Sequence, residues 1–216
     1  MDTAMANPVP TATTRDQLLD ATSALMTERN SVSISLNEIA LKSGLNSALI
    51  SYYFGGKTGL FKALLERDAG GTFGALERLV QSDLDATTKL RRHVSGIILT
   101  YFRHPYMNRL IGALAVDTDS DTARFISERF TKPIAEAQRA ILAQGRAEGV
   151  FRDIDPMLFY FSLIGACDHL FHARHSLKYA FGIDAIDDRL RQRYTDHVCT
   201  ILLDSVLARP ADDFTR

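Results

Sequence analysis

Apolar residues recur along this chain at intervals of three and four, and period-two runs of β-branched residues are absent. That periodicity predicts an all-α protein. Leu18, Leu19, Thr22, Leu25 and Met26 mark a first helix over about 14–29. The run from Ser35 to Lys57, SLNEIALKSGLNSALISYYFGGK, predicts two short helices about a tight turn. A fourth helix starts near Lys57 and runs to about Gln81, with Leu60, Phe61, Leu64, Leu65, Phe73, Leu76, Leu79 and Val80. Further helices are predicted over Thr88–Arg103, after Pro105, over 121–148 with a kink or restart at Pro133, and from Pro156 to about His175. A last one, capped by Asp187 or Asp188, runs to about Ala208. That makes about nine helices, with a polar loop at Asp117–Ser120.

The run from Ser35 to Lys57 carries the most chemistry. Ser35 and Glu38 have capping-box spacing at a helix start. Leu36, Ile39 and Ala40 give an apolar stripe, and Gly44 supplies the left-handed turn that ends the helix. Leu45 plugs the corner, and Asn46 is a good N-cap for the second helix. Ile50 and Phe54 face the core, and Gly55 and Gly56 stop the helix. The outer face is left with Asn46, Ser47, Ala48, Ser51, Tyr52 and Tyr53. A helix of this size fits the major groove of B-DNA.

This stretch resembles the DNA-binding domain of the TetR family of bacterial repressors. RDQLLDATSALMTERN is similar to that family's first helix, NEIALKSGL to its second helix and turn, and SYYFGGKTGLFKALL to the aromatic run that opens its fourth helix. Asn30 stands where the family usually has Gly, and Ser51 where it usually has Tyr. The segments HPYMNRLI and AEGVFRDIDP resemble C-terminal domains found in part of the family. The resemblance implies a domain of three helices over 14–60, including the helix-turn-helix. A helical ligand-binding and dimerisation domain follows over 61–210, and an arm over 1–13, with Pro8 and Pro10 opposing helix, is expected to be disordered. It also implies a homodimer through the last two helices, whose apolar and aromatic excess agrees.

Charge complicates the picture. The net charge is −1, and residues 1–60 hold four basic residues (Arg15, Arg29, Lys42, Lys57) against five acidic ones. A DNA binder ordinarily shows a basic footprint, so here the positive charge must be placed rather than abundant. Lys57, at the start of the fourth helix, is the best phosphate contact. With 46% hydrophobic and 24% charged residues the composition is that of a globular protein. No stretch of eighteen apolar residues predicts a membrane span. The N-terminus lacks the basic region and apolar core of a signal peptide, and Cys167 and Cys199 suit a reducing compartment. A cytoplasmic location is expected.

Three other groups of residues invite a chemical reading. His93, Tyr101, Phe102, His104, Met107, Phe125, Arg129 and Phe130 would line an effector pocket, with Arg129 pairing a ligand carboxylate or phosphate. Asp168, His172 and His175, at i, i+4 and i+7, would share one helical face as ligands for zinc or nickel. The commoner reading of such histidines is a polar seam between helices. Gly70, Gly71 and Gly74 soften the fourth helix, as a hinge or as a seat for close packing. No Gly-x-Ser-x-Gly, phosphate loop or His-Glu-x-x-His is present, so neither an enzyme nor a cofactor is expected. The reading is a ligand-responsive regulator, a repressor that binds a palindromic operator in double-stranded DNA as a homodimer and is released by a small molecule. The rival is a helical dimeric sensor or interaction protein that does not read DNA.

Overall fold

Thr13 opens the first helix: its hydroxyl accepts from the Asp16 amide, and the backbone turns helical at the next residue. The computed structural model describes residues 13–116 and 120–208. The arm expected over residues 1–13, except Thr13, and the loop expected over Asp117–Ser120, except Ser120, lie outside them. So does the end of the 61–210 domain beyond residue 208. The helices are α1 (Thr14–Arg29), α2 (Leu36–Ser43), α3 (Ala48–Phe54), α4 (Lys57–Gln81), α5 (Ala86–Arg103), α6 (Met107–Val116) and α7 (Ser120–Ile126). A π-helical turn, Ser127–Thr131, leads into α8 (Lys132–Ala147), followed by α9 (Pro156–His172), α10 (Arg174–Phe181) and α11 (Asp188–Val206). The chain divides into two compact units, Met1–Leu64 and Leu65–Arg216.

In the first unit, Leu18, Leu19, Met26, Ile34, Ile39, Ile50, Leu60 and Leu64 are buried and form the core. The helix ends follow local rules. Asn30 adopts the left-handed conformation (φ 49°) that closes α1, a role Asn fills in place of Gly. Ser35 and Glu38 form the full capping box of α2.

In the second unit α5 is central and packs against α8, α9 and α11. Leu90, Val94, Ile98, Leu163, Cys167, Phe171, Val198 and Leu202 fill the space between them. α5 starts two residues before Thr88 because the Asp85 carboxylate accepts from the Thr88 amide and hydroxyl. Buried Lys89 stitches three segments together. Its ammonium donates to the Val80 carbonyl (2.7 Å) and to Gln144 Oε1 (2.8 Å), and the Gln144 amide donates to the Leu84 carbonyl (3.0 Å). Asp155 caps α9, accepting from the Met157 and Leu158 amides, with Pro156 at the first helical position. The last helix is capped by Asp187, which accepts from the Leu190 amide.

The predicted restart at Pro133 takes the form of the π-helical turn just before it. The aromatic helix expected to reach His175 stops at His172, and α10 follows as a separate helix with no buried residue. Beyond α11 the chain folds back. The Arg152 amide donates to the Val206 carbonyl and the Ala208 amide to the Val150 carbonyl, both at 2.9 Å, and Arg152 Nε donates to the Ser205 carbonyl at 2.8 Å. Phe151 packs against Gly145: a Cβ there would stand 2.0 Å from its ring, so any larger residue would push the ring away.

Candidate functional site

The turn between α2 and α3 is built from local chemistry. Gly44 takes φ 71° and its amide returns to the Ala40 carbonyl. Asn46 Oδ1 accepts from the Ala48 amide at 2.8 Å, and the Asn46 carbonyl accepts from the Leu49 amide at 3.0 Å. Asn46 therefore caps the start of α3 while remaining exposed. Ile50 is fully buried and anchors the helix. Ala48, Ser51, Tyr52 and Tyr53 are exposed, and Ser47 is half-buried. Tyr52 is 80% exposed, and its ring meets Tyr53 edge to face at 5.0 Å.

The α3–α4 turn sets Lys57 at the first position of α4, three residues beyond the end of α3. Gly55 (φ 71°) and Gly56 (φ 117°) adopt conformations that other residues avoid. Gly59 is needed for another reason. A Cβ there would stand 1.8 Å from the Phe54 carbonyl oxygen, so the first turn of α4 presses directly on the last turn of α3. Sequence reasoning passed over Gly59; its place in the third position of a helix, where Gly is disfavoured, was the available signal.

The cations of this unit divide into two kinds. Arg29 is paired with Glu38, and Lys42 with Glu28 at 2.6 Å. Hydrogen bonds from Arg29 and Ser35 hold the Glu38 carboxyl down at about 2. Arg15 lies over the Phe54 ring at 5.2 Å and Lys57 over the Phe61 ring at 5.4 Å. Both are exposed, and neither has a carboxylate partner among the described residues. Unpaired positive charge thus flanks α3, in a unit whose other two expected cations are neutralised.

In the second unit α4 and α5, with Ile134 of α8, line a half-open cavity of about 400 Å³. His93 lines it and is 4% exposed; burial lowers its pKa to about 4, so the ring is neutral at pH 7. Among the described residues its Nε2 has no hydrogen-bond partner. Asp68 also lines the cavity. Its carboxylate accepts from the buried Tyr106 hydroxyl and from Arg67 Nε at 2.8 Å, with His104 Nδ1 at 3.4 Å. Burial keeps His104 below its ordinary value, against the pull of Asp68. A smaller apolar recess of about 40 Å³ is lined by Tyr101, Met107 and Phe130.

The expected pocket residues are therefore only partly together. His93 lines the α4–α5–α8 cavity, and Tyr101, Met107 and Phe130 the adjoining recess. His104 stands behind Asp68, and Phe125 is packed on Phe130 at 5.9 Å between ring centres. Phe102 faces elsewhere, into a separate space of about 200 Å³ with Phe171 and Arg174. Arg129 is not a cavity residue: its exposed guanidinium lies 3.7 Å from Glu66. Arg92 and Arg103 line the cavity instead.

The metal-ligand reading of Asp168, His172 and His175 is corrected by the helix end. Ala173 breaks the helical repeat (φ −86°, ψ 40°), so the i, i+7 spacing no longer puts His175 on the face of Asp168. His175 stacks flat on Tyr179 at 6.1 Å. Among the described residues no group of three His, Cys, Asp or Glu side chains could hold a metal ion. Gly70 and Gly71 sit within continuous α4, and apart from their chain neighbours and the adjacent backbone of the helix no heavy atom among the described residues lies within 4 Å of a Cβ at either. Close packing does not explain them.

Several large apolar residues stay on the surface of α9 and α11: Met157, Leu158, Phe161 and Ile201. Among the described residues no helix is long and apolar enough to cross a membrane.

Comparison with known proteins agrees with this architecture. Residues 18–64 match the family described as bacterial regulatory proteins, tetR family, and residues 83–212 the tetracyclin repressor-like C-terminal domain. No curated protein matches in sequence. The ketosteroid transcriptional regulator KstR2 of Mycobacterium tuberculosis has a similar fold (TM-score 0.70, 20% identity, 94% of this chain and 99% of that one). So does the transcriptional regulator FadR from Bacillus subtilis, solved in complex with stearoyl-CoA (TM-score 0.62, 17% identity, 87% and 96%). A TetR/AcrR family regulator from Thermobifida fusca is also similar (TM-score 0.63, 17% identity, 94% and 98%). With both domains matched, the chain belongs to the TetR family of bacterial transcriptional regulators, with a DNA-binding helix-turn-helix domain and a helical ligand-binding domain.

Proposed function

We propose that the protein is a cytoplasmic, ligand-responsive repressor. As a homodimer it places one α3 in each of two major grooves of a palindromic operator, and a small molecule in the α4–α5–α8 cavity releases it. The observation that carries this reading is the exposed, uncharged face of α3, followed three residues on by an exposed Lys57 with no carboxylate partner among the described residues. Such a face can approach base edges without repelling phosphates, while the flanking ammonium supplies a phosphate contact. The apolar side chains left exposed on α9 and α11 support pairing of two copies. A half-site protein needs that pairing to read two grooves a helical turn or a multiple apart. Stearoyl-CoA bound to one protein of similar fold supports a small-molecule effector.

A mobility-shift titration with the DNA flanking the protein's own gene tests the reading. A saturable shift with two chains per duplex is expected. The rival, a dimeric sensor that does not read DNA, draws on the acidic excess of residues 1–60 and the pairing of Arg29 and Lys42. It is upheld if no shift appears at low salt with the dimer intact.

A further inference from the structure

The cavity changes character along its length. At one end it shares Ala75, Leu79 and Arg92 with an open groove that also carries Arg78. At the other it shares Thr72, Ile97, Thr100 and Ile134 with the apolar recess under Phe130. Arg92 and Tyr101 stand nine residues apart on α5, so the two ends are separated by roughly 13 Å along the helix axis. The end at Arg78 and Arg92 is cationic; Arg103 also lines the cavity, eleven residues along α5 from Arg92 and outside the apolar recess. Arg78 and Arg92 have no carboxylate partner among the described residues, whereas Arg67, Arg129, Arg146 and Arg191 each have one. Asp68 is a carboxylate in the cavity wall, but it is 4% exposed and held by Tyr106 and Arg67. His93 adds no charge at pH 7.

We propose that this cavity takes an amphipathic anion, with a carboxylate or phosphate head at Arg78 and Arg92 and an apolar body along Leu76, Ile97 and Ile134 toward the Phe130 recess. The inference rests on the reading of this cavity as the effector site and adds the chemical class of the effector. Guanidinium groups suit both heads, because each offers paired oxygens to the planar donor fork. The apolar walls supply the binding energy of the body, and the unpaired arginines set which end enters first.

Calorimetric titration of the full chain tests it, with four probes kept below their micelle-forming concentrations. These are decanoate, decyl phosphate, decan-1-ol and decyltrimethylammonium. One saturable site per chain is expected for at least one of the two anions, and which of them binds identifies the head. Decan-1-ol should bind about tenfold more weakly, and the cation more weakly still. Arg92→Gln should weaken the anion by about tenfold and leave decan-1-ol unchanged. Gly71→Leu, at an open Cβ position in the cavity wall, should exclude every probe. Decan-1-ol binding as tightly as both anions overturns the proposal. So does anion binding that survives both Arg92→Gln and Arg78→Gln, each shown by circular dichroism to be folded. Anion binding that leaves the DNA shift unchanged supports this inference and overturns release by the effector, so the two readings fail separately.

Discussion

Arg29, the last residue of α1, donates its guanidinium to the carboxylate of Glu38 in the first turn of α2. The same carboxylate accepts from the Ser35 amide (2.7 Å) and hydroxyl (2.8 Å). One side chain thus closes a capping box and ties two helices together. Its pKa is held at about 2 in the folded chain against 4.5 for the free group. A lowered carboxyl pKa means that the unfolded chain binds the proton more readily. The stabilisation is complete above pH 4.5 and is lost as pH falls from there toward 2. In urea unfolding followed by helical ellipticity, Glu38→Gln should flatten the pH dependence of the first unit across that window.

His93 works in the same direction at higher pH. Its folded pKa of about 4 lies below the ordinary 6.5, so the unfolded chain takes up the extra proton between those values. Stability of the second unit should decline as pH drops from 6.5 to 4. His93→Gln should remove that slope, and a slope equal to that of the unmodified protein would show that the ring is protonated when folded.

Lys57→Ala should weaken binding to all DNA sequences and reduce the salt slope by about one unit. An unchanged slope removes Lys57 from the phosphate contacts. Asn46 has two roles to separate. Asn46→Ala loses the cap and should cost about 1 kcal/mol of stability, whereas Asn46→Asp keeps the cap. A changed operator preference in the folded Asp variant would place this side chain at a base edge. Ser47→Ala should alter preference with little loss of stability.

Ile201 is 51% exposed and Phe161 66%, so a glutamate at either leaves the core of one chain intact. Ile201→Glu and Phe161→Glu should each yield folded monomers in sedimentation velocity, with loss of operator binding. Ile164 is half-buried, and a charge there would disturb the fold as well as pairing. A monomer for the unmodified protein at micromolar concentration refutes this assignment.

The glycines of α4 should separate cleanly by mutation. Gly70→Ala and Gly71→Ala meet open space and should stabilise the helix by about 1 kcal/mol each. If flexibility there serves signalling, the double variant will keep its dimer but respond less to effector. Gly59→Ala places a methyl group against the Phe54 carbonyl and should disorder the start of α4, read as lost DNA binding with a retained second unit.

The first unit was legible because its determinants are local. Ser35 and Glu38, Asn30, Gly44 and the Gly55–Gly56 pair each act within a few residues, and all appear in their expected places. The effector cavity depends on which helices meet. Arg92 sits on a helix beside His93 and Arg129 on a helical turn beside Phe130, and periodicity cannot say which one turns inward. The packing of α5 against α8 decides for Arg92. The histidine pattern failed on a boundary: seven residues share a face only while the helix continues, and Ala173 carried no strong stop signal. α10 was missed because it buries nothing, so it leaves no apolar periodicity to read.

The clasp that joins Val150–Arg152 to the end of α11 makes a ring of the chain between them. Both ends of that ring are pinned: one to α8, through Phe151 on Gly145, and the other by the amides of Arg152 and Ala208. Neither α9 nor α11 can therefore unravel from the ring's closed side. Slack within the ring collects in α10, which contributes nothing to the core. Length changes by insertion are accordingly best absorbed there. A single residue inserted near Gly182 leaves both apolar faces in register, whereas the same insertion between Asp153 and Asp155 shifts the Asp155 cap, and α9 with it, relative to the clasp.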